Sequence, residues 1–309
     1  MKALKELRIV FFGTPDFAVA SLTALVDAGL QVVAVVTAPD KPSGRGLQLQ
    51  ATPVKQYAEQ QQIRVLQPPR LKDPEFLETL KQIGADLHVV VAFRMLPEAV
   101  WNMPPMGTIN VHGSLLPQYR GAAPINRAIM DGATETGVTT FKLKHEIDTG
   151  DILLHSRLPI TETDDAGTLH DKLMAEGAQL LVTTVSGLAA GTIREMPQDQ
   201  VPGELRHAPK LFKEDMRINW QQPVLQIHNQ IRGLSPYPAA FTELAGKQVK
   251  VYRAHTVPAA TGKEPGSFET DHKDWLRFAA ADGWVYIDEL QQEGKKRMDI
   301  AAFLRGFRA

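Results

Sequence analysis

Two short runs, Q-V-V-A-V-V at 31–36 and L-H-V-V-V-A at 87–92, are apolar at nearly every position. A strand with one solvated face alternates apolar and polar residues. A strand that is apolar throughout is covered on both faces, which is the situation in a parallel sheet flanked by helices. The stretches between the runs fit that requirement. L-R-I-V-F-F at 7–12 precedes a turn at Gly13, and apolar residues recur at helical spacing over 17–28 before Gly29 ends the segment. A further strand is expected at 63–66. A helix is expected at 74–83, stopped by Gly84, and a fifth strand around Ile109. The alternation predicts a doubly wound, mostly parallel α/β sheet of the Rossmann-like type.

The pattern then changes. Residues 136–144 and 150–159 alternate on either side of Asp148, as a hairpin would, and 168–187 reads as a long helix. Thr168 with Asp171 three residues later resembles a capping box at its start. Residues 191–209 are rich in Pro, Gln and Gly without periodicity and read as a linker. Beyond it come a helix at 222–233 and short strands at 241–244, 248–254, 275–278 and 283–287. Several short strands with intervening turns suggest a small, OB-like β-barrel. The expected division is a catalytic domain at 1–190, the linker at 191–209 and a barrel domain at 210–309.

Charge follows this division. The net charge of the 309 residues is −1. It splits into −5 up to Leu205 and +4 from Arg206 onward. A positive C-terminal third suits contact with nucleic acid. Ile9 to Phe12 is too short for a signal-peptide core, and no run reaches membrane-spanning length, so a soluble cytoplasmic protein with no membrane contact is expected.

The residues best placed for chemistry are Asn110 and His112 in T-I-N-V-H-G-S-L-L-P. Two apart on a strand, their side chains point the same way, and at the carboxyl end of a parallel strand they enter the ligand crevice. An amide and an imidazole that converge can hold a developing oxyanion. Asp148, on the following hairpin, is expected to orient His112 and help move a proton. With no cysteine, thiolate nucleophiles and thiolate metal sites are excluded. No G-x-S-x-G elbow supplies a serine nucleophile. The first βα turn, F-G-T-P-D-F, lacks the spaced glycines of a dinucleotide site, so neither a nicotinamide nor a flavin is expected. There is no H-E-x-x-H, and His145 with Asp148 lacks a third ligand, so no metal is expected. The trio therefore suits direct attack of an amine on a carbonyl. The Pro-stiffened segment Ser114, Leu115, Leu116 and Pro117 is placed to cover a flat ring. The Gly- and Pro-rich loop at 37–50 offers Lys41 and Arg45 as phosphate contacts.

These segments together resemble the methionyl-tRNA formyltransferase family over nearly the whole chain. The matching pieces are F-G-T-P-D-F-A from Phe12, P-S-G-R-G from Pro42, N-V-H-G-S-L-L-P-Q-Y-R-G-A-A-P-I from Asn110, E-T-G-V-T-T from Glu135, D-T-G-D from Asp148, R-I-N-W from Arg217 and L-S-P-Y-P-A-A from Leu234. The resemblance implies formyl transfer from 10-formyltetrahydrofolate to the α-amine of methionyl initiator tRNA by a monomeric enzyme of translation initiation. It implies that Asn110, His112 and Asp148 are catalytic and that Ser114 to Pro117 contacts folate. It also implies that Lys41 and Arg45 meet the tRNA acceptor end and that the barrel holds the acceptor arm. The chain departs from the family where Leu47-Gln48-Leu49-Gln50 replaces further lysines. It departs again at 92–97, one residue shorter than the usual folate-pocket wall, with Arg94 in place of a glycine. The Asn-x-His with a downstream Asp is shared with formyltransferases and formyltetrahydrofolate hydrolases that act on small molecules, which form the alternative reading. A catalytically dead RNA-binding protein on the same scaffold is a second, against which the intact trio argues.

Overall fold

The computed structural model describes residues 4–43 and 48–308. The chain divides into two compact units. The first comprises Met1–Arg120, Gly137–Leu158 and Asp171–Arg206, and the second comprises Gly121–Thr136, Pro159–His170 and His207–Ala309.

The first unit is built on strands β1 (Arg8–Gly13), β2 (Gln31–Val36), β3 (Lys41–Ser43), β4 (Gln48–Gln50), β5 (Val65–Leu66), β6 (Leu87–Val91), β7 (Thr108–His112), β8 (Glu135–Lys142) and β9 (Ile152–Pro159). Seven of them form one sheet in the order β5-β2-β1-β6-β7-β8-β9. The pairs from β5 to β7 are parallel, and β7 pairs with β8 antiparallel. Successive crossovers run outward from β1 in one direction to β2 and β5, then in the other to β6 and β7. This is the doubly wound arrangement expected from the apolar runs, and β6 is buried along its full length. Its switch point lies between β1 and β6, so the ligand crevice opens beyond their carboxyl ends. Gly13, at the end of β1, is required there for space: a Cβ would lie 2.6 Å from the Ala18 side chain and 2.7 Å from the Phe11 ring.

Helices α1 (Asp16–Asp27), α2 (Pro53–Gln60), α3 (Pro74–Ile83) and α4 (Glu98–Trp101) link these strands. In α3 the Asp73 carboxylate accepts from the Glu75 N–H, Pro74 opens the helix, and Gly84 ends it at φ +61°. Phe76, Leu80 and Ile83 of α3 pack with Val10, Phe12 and Val90 of the sheet. Each such burial stabilises by about 1.5–3 kcal/mol. His88 of β6 sits inside the sheet, 5.1 Å from the Phe12 ring. Burial pushes its pKa down to about 4, partly offset by a hydrogen bond to the Val100 backbone.

Three local expectations are corrected. Within the expected loop at 37–50, residues 41–43 and 48–50 are strands: β3 and β4 pair antiparallel, Lys41 opposite Gln50. After α5 (Pro124–Met130), helix α6 (Ala166–Ala190) starts earlier than expected. Its reciprocal cap is Asp165 with Thr168, not Thr168 with Asp171: the Thr168 N–H donates to Asp165 Oδ1 at 2.8 Å and the Asp165 N–H to Thr168 Oγ1 at 3.0 Å. The helix of 25 residues is also long and apolar enough, by length and composition, to cross a membrane, contrary to the expectation that no run reaches that length. Leu169, Leu173, Gly177, Leu181 and Val185 are buried at four-residue spacing, while Asp171 and Lys172 are exposed, the pattern of a helix packed along one stripe.

The second unit holds α7 (Lys213–Met216), α8 (Val224–Leu234), β10 (Ala240–Leu244), β11 (Lys247–Pro258), β12 (Phe268–Thr270), β13 (Leu276–Ala279), β14 (Gly283–Gln292), β15 (Met298–Asp299) and α9 (Ile300–Leu304). The strands form an antiparallel sheet, order β10-β11-β14-β13-β12, with β15 beside β14. The sheet curls as a small barrel domain around Val251, Val285, Phe278, Leu290 and the apolar face of α8. Strict alternation along β11 would place Lys247 and Arg253 on one face and Lys250 on the other. Register shifts on either side of Arg253 break that alternation. Val249, Val251 and Ala254 are buried, so Lys250 and Arg253 both fall between inward-facing positions.

Candidate active site

The site begins at the carboxyl end of β7. Asn110 and His112 lie two apart on this strand and share one face. In the antiparallel register with β8, Phe141 stands opposite Asn110 and Thr139 opposite His112. Phe141 is fully buried with Leu116 and Ile152 and forms an apolar floor, its ring edge-on to the His112 imidazole at 6.4 Å. Asn110 is half-buried and His112 is 8% exposed.

The two ring nitrogens of His112 have different surroundings. Nε2 lies 2.9 Å from the Tyr119 carbonyl. A carbonyl only accepts, so this nitrogen carries the proton and donates. Nδ1 lies 3.9 Å from Asp148 Oδ2. That is beyond hydrogen-bond length, with both side chains mostly buried. A single atom can sit within hydrogen-bonding distance of both groups. With Nε2–H already committed, a second donation from Nδ1 needs the doubly protonated ring.

Asp148 is held in a tight turn between β8 and β9. Its backbone is left-handed, at φ +54°, a conformation in which Asp and Asn are enriched among non-glycine residues. Two residues on, Gly150 is obligatory, since a Cβ would fall 1.5 Å from the Lys142 carbonyl oxygen. The turn is also gripped from outside. Gln198 Nε2 donates to the carbonyls of Asp148 (2.9 Å) and Gly150 (2.7 Å). Gln198 Oε1 accepts from Arg120 Nε (2.9 Å) and Nη2 (2.7 Å). Gln198 is 4% exposed and opens a single 3-10 turn, Gln198–Gln200. It lies in the stretch expected to be a linker. That stretch is indeed irregular, yet it is stitched down: Met196 bridges Ile152, and the Tyr119 N–H donates to the Arg206 carbonyl at 2.7 Å.

The segment from Ser114 to Pro117 is mostly turned inward. Ser114 is fully buried, donating to the Gln118 carbonyl at 2.6 Å, and its own carbonyl accepts from Thr139 Oγ1 at 2.7 Å. Leu116 joins the Phe141 cluster, Pro117 is buried, and Leu115 is half-buried. Contact with a flat ring from this segment is therefore left to Leu115 and the main chain. At 92–97, Arg94 is spent on structure: its guanidinium donates to the carbonyls of Pro68 and Pro69, the latter at 2.9 Å, and lies 5.5 Å over the Phe93 ring. Met95 beside it is 71% exposed. Lys41 is exposed on the β3–β4 ribbon, and Arg45 lies outside the described residues.

Sequence reasoning singled out Asn110, His112 and Asp148 as candidates, and the structure brings the last two face to face. It missed Tyr119, Arg120 and Gln198. Arg120 carried a faint signal, lying in the same unbroken segment as His112. Gln198 carried none, because an irregular stretch has no periodicity to mark an inward residue.

Comparison with known proteins bears on the whole chain. Residues 7–185 match the formyl transferase family and residues 210–308 the formyl transferase C-terminal domain. The chain is 53% identical over 310 residues to a methionyl-tRNA formyltransferase of Bacteroides fragilis, covering 98% of this chain and 96% of that one. Among solved structures, it resembles HypX from Aquifex aeolicus in complex with tetrahydrofolic acid (TM-score 0.66, 18% identity), covering 96% of this chain and spanning about half, 47%, of that one. It also resembles an N-formyltransferase from Helicobacter canadensis in complex with folinic acid and dTDP-3-aminofucose (TM-score 0.67, 20% identity, 93% and 99% covered). At these identities the two structures speak to the fold alone.

Proposed function

The chain belongs to the methionyl-tRNA formyltransferase family, and from that premise we propose that it moves the formyl group of 10-formyltetrahydrofolate onto the α-amine of methionyl initiator tRNA at the site beyond β7. Formyl transfer in translation initiation is the activity of the family; the donor, the acceptor and the residue roles are our reading. A working place in the cytoplasm accords with that acceptor.

The observation that carries the reading is the arrangement of Asn110, His112 and Asp148. The Asn110 amide and the His112 Nδ1–H are donors on one strand face, suited to an oxyanion on the formyl carbon. Tyr119 fixes the ring so that Nδ1, not Nε2, meets the reacting atoms. Asp148 faces the Nδ1 edge of the ring and stands beside the point where an attacking amine must lose a proton. The new bond joins the amine nitrogen to the formyl carbon. The bond from that carbon to folate N10 breaks, one proton leaves the amine, and one is delivered to N10. No covalent enzyme intermediate enters, in keeping with the lack of cysteine and of a serine elbow.

Lys41, Arg45 and the barrel are assigned to the tRNA. The positive balance from Arg206 onward supports this assignment. The test is formylation of charged initiator tRNA against charged elongator tRNA, with 10-formyltetrahydrofolate as donor. Transfer to the initiator is expected. Failure to formylate either tRNA would sink the reading.

A further inference from the structure

We infer that Gln198, held by Arg120, is a positioning residue that sets the place of the Asp148 carboxylate opposite His112. The inference rests on the reading of Asp148 given above. Three observations carry it. First, a single side-chain amide uses both of its N–H groups on the two carbonyls that bracket the Asp148 turn. Second, the same amide's oxygen takes two donors from one guanidinium. Arginine only donates and carbonyls only accept, so the orientation of the amide is fixed chemically and cannot flip without losing all four bonds. The cationic donor also polarises the amide and strengthens its N–H bonds to the turn. Third, the left-handed backbone of Asp148 is a conformation that persists only when its surroundings impose it.

The chain position of the anchor matters as much as its bonds. Arg120 directly follows Tyr119, whose carbonyl holds His112 Nε2. One dipeptide therefore fixes both members of the pair: Tyr119 sets the ring, and Arg120, through Gln198, sets the carboxylate turn. Moving either half by about 1 Å is enough to cost up to about a hundredfold in rate where reacting groups must be aligned. All four hydrogen bonds of the Gln198 amide go to Arg120 and to the turn carbonyls, so it acts through Asp148.

The test is a double-mutant cycle in the full-length protein, read by single-turnover formylation of charged initiator tRNA. Gln198→Met keeps the volume of the buried side chain and removes its four hydrogen bonds. It is expected to lower the rate by about 10–100-fold, with the KM for 10-formyltetrahydrofolate and for tRNA each within about twofold of wild type. In an Asp148→Asn background the same change is expected to cost less than about threefold further, because the group it positions is already disabled. Arg120→Lys, which leaves Gln198 in place but removes the paired donors, gives an independent variant and is expected to show the same non-additivity. A Gln198→Met enzyme within twofold of the wild-type rate, or losses that multiply in full in the Asp148→Asn background for the variants that fold, would overturn the inference while leaving the role of Asp148 intact. An Asp148→Asn enzyme of nearly wild-type rate would overturn the reading of Asp148, and this inference with it.

Discussion

The Nδ1 edge of His112 faces the Asp148 carboxylate at 3.9 Å while its Nε2–H is held by a backbone carbonyl. Only one edge of the ring is therefore available to a reacting atom. His112→Ala and Asn110→Ala are each expected to lower kcat by about 10²–10³-fold, the usual cost of one oxyanion donor. Equal losses in kcat and kcat/KM are expected from a role confined to the transition state. Steady-state formylation kinetics check this. A variant keeping more than about a tenth of the wild-type kcat removes that residue from the role.

Gly150→Ala tests the turn that carries Asp148. The added methyl would lie 1.5 Å from the Lys142 carbonyl oxygen, so backbone must move. Overpacking against backbone typically costs about 1–3 kcal/mol, and here the displacement also carries the carboxylate away from His112. The melting temperature and the formylation rate are both expected to fall. An unchanged melting temperature with full activity would show that the turn is not confined as described.

His88 makes stability depend on pH. Its pKa is about 4 in the folded chain against 6.5 for the free side chain. Between those values the unfolded chain binds more protons than the folded one, so stability rises with pH across that window. The contribution is fully present above pH 6.5 and is lost as pH falls toward 4. About 2 kcal/mol should disappear between pH 7.5 and pH 5. Urea unfolding at the two pH values, for wild type and His88→Leu, measures it. The difference between pH values is expected to shrink in the variant, and an equal difference in both proteins would rule His88 out as the source.

The parts of this molecule that were legible in the sequence are those where periodicity and burial coincide. The apolar runs of β2 and β6, and the helix stopped at Gly84, follow directly from what a covered parallel sheet demands. Asn110 and His112 were legible because the strand period itself puts them on one face. Other features are settled by contacts distant in sequence. Gln198 is turned inward by Arg120, seventy-eight positions away. The side of β11 that Arg253 occupies depends on register shifts against β14 that no alternation rule contains. The cap of α6 sits at Asp165 because two aspartates precede Thr168 and both bond to its hydroxyl or amide, a choice that spacing alone leaves open.

The tRNA surface is tested by salt. Removing one phosphate-binding side chain should lower the slope of log affinity against log salt by about 0.9 if the RNA it meets is duplex-like. Arg45→Ala and Lys41→Ala are each expected to raise the tRNA KM and flatten its salt dependence, leaving the folate KM nearly unchanged. Because the shifts in β11 place Lys250 and Arg253 between inward-facing residues, charge reversal at these two positions is the matched test on the barrel. Slopes parallel to wild type for all four variants would remove these residues from the tRNA surface.

The most direct test gives the enzyme two acceptors at once, charged initiator tRNA and a nucleotide-linked amino sugar, with 10-formyltetrahydrofolate as the common donor. Formylated product is measured on each, for wild type and for His112→Ala. Formyl-methionyl-tRNA should dominate with the wild type and fall by about 10²–10³-fold in the variant. Formylation of the amino sugar in preference to the tRNA, or tRNA formylation that survives the loss of the His112 imidazole, would contradict the assignment of this site.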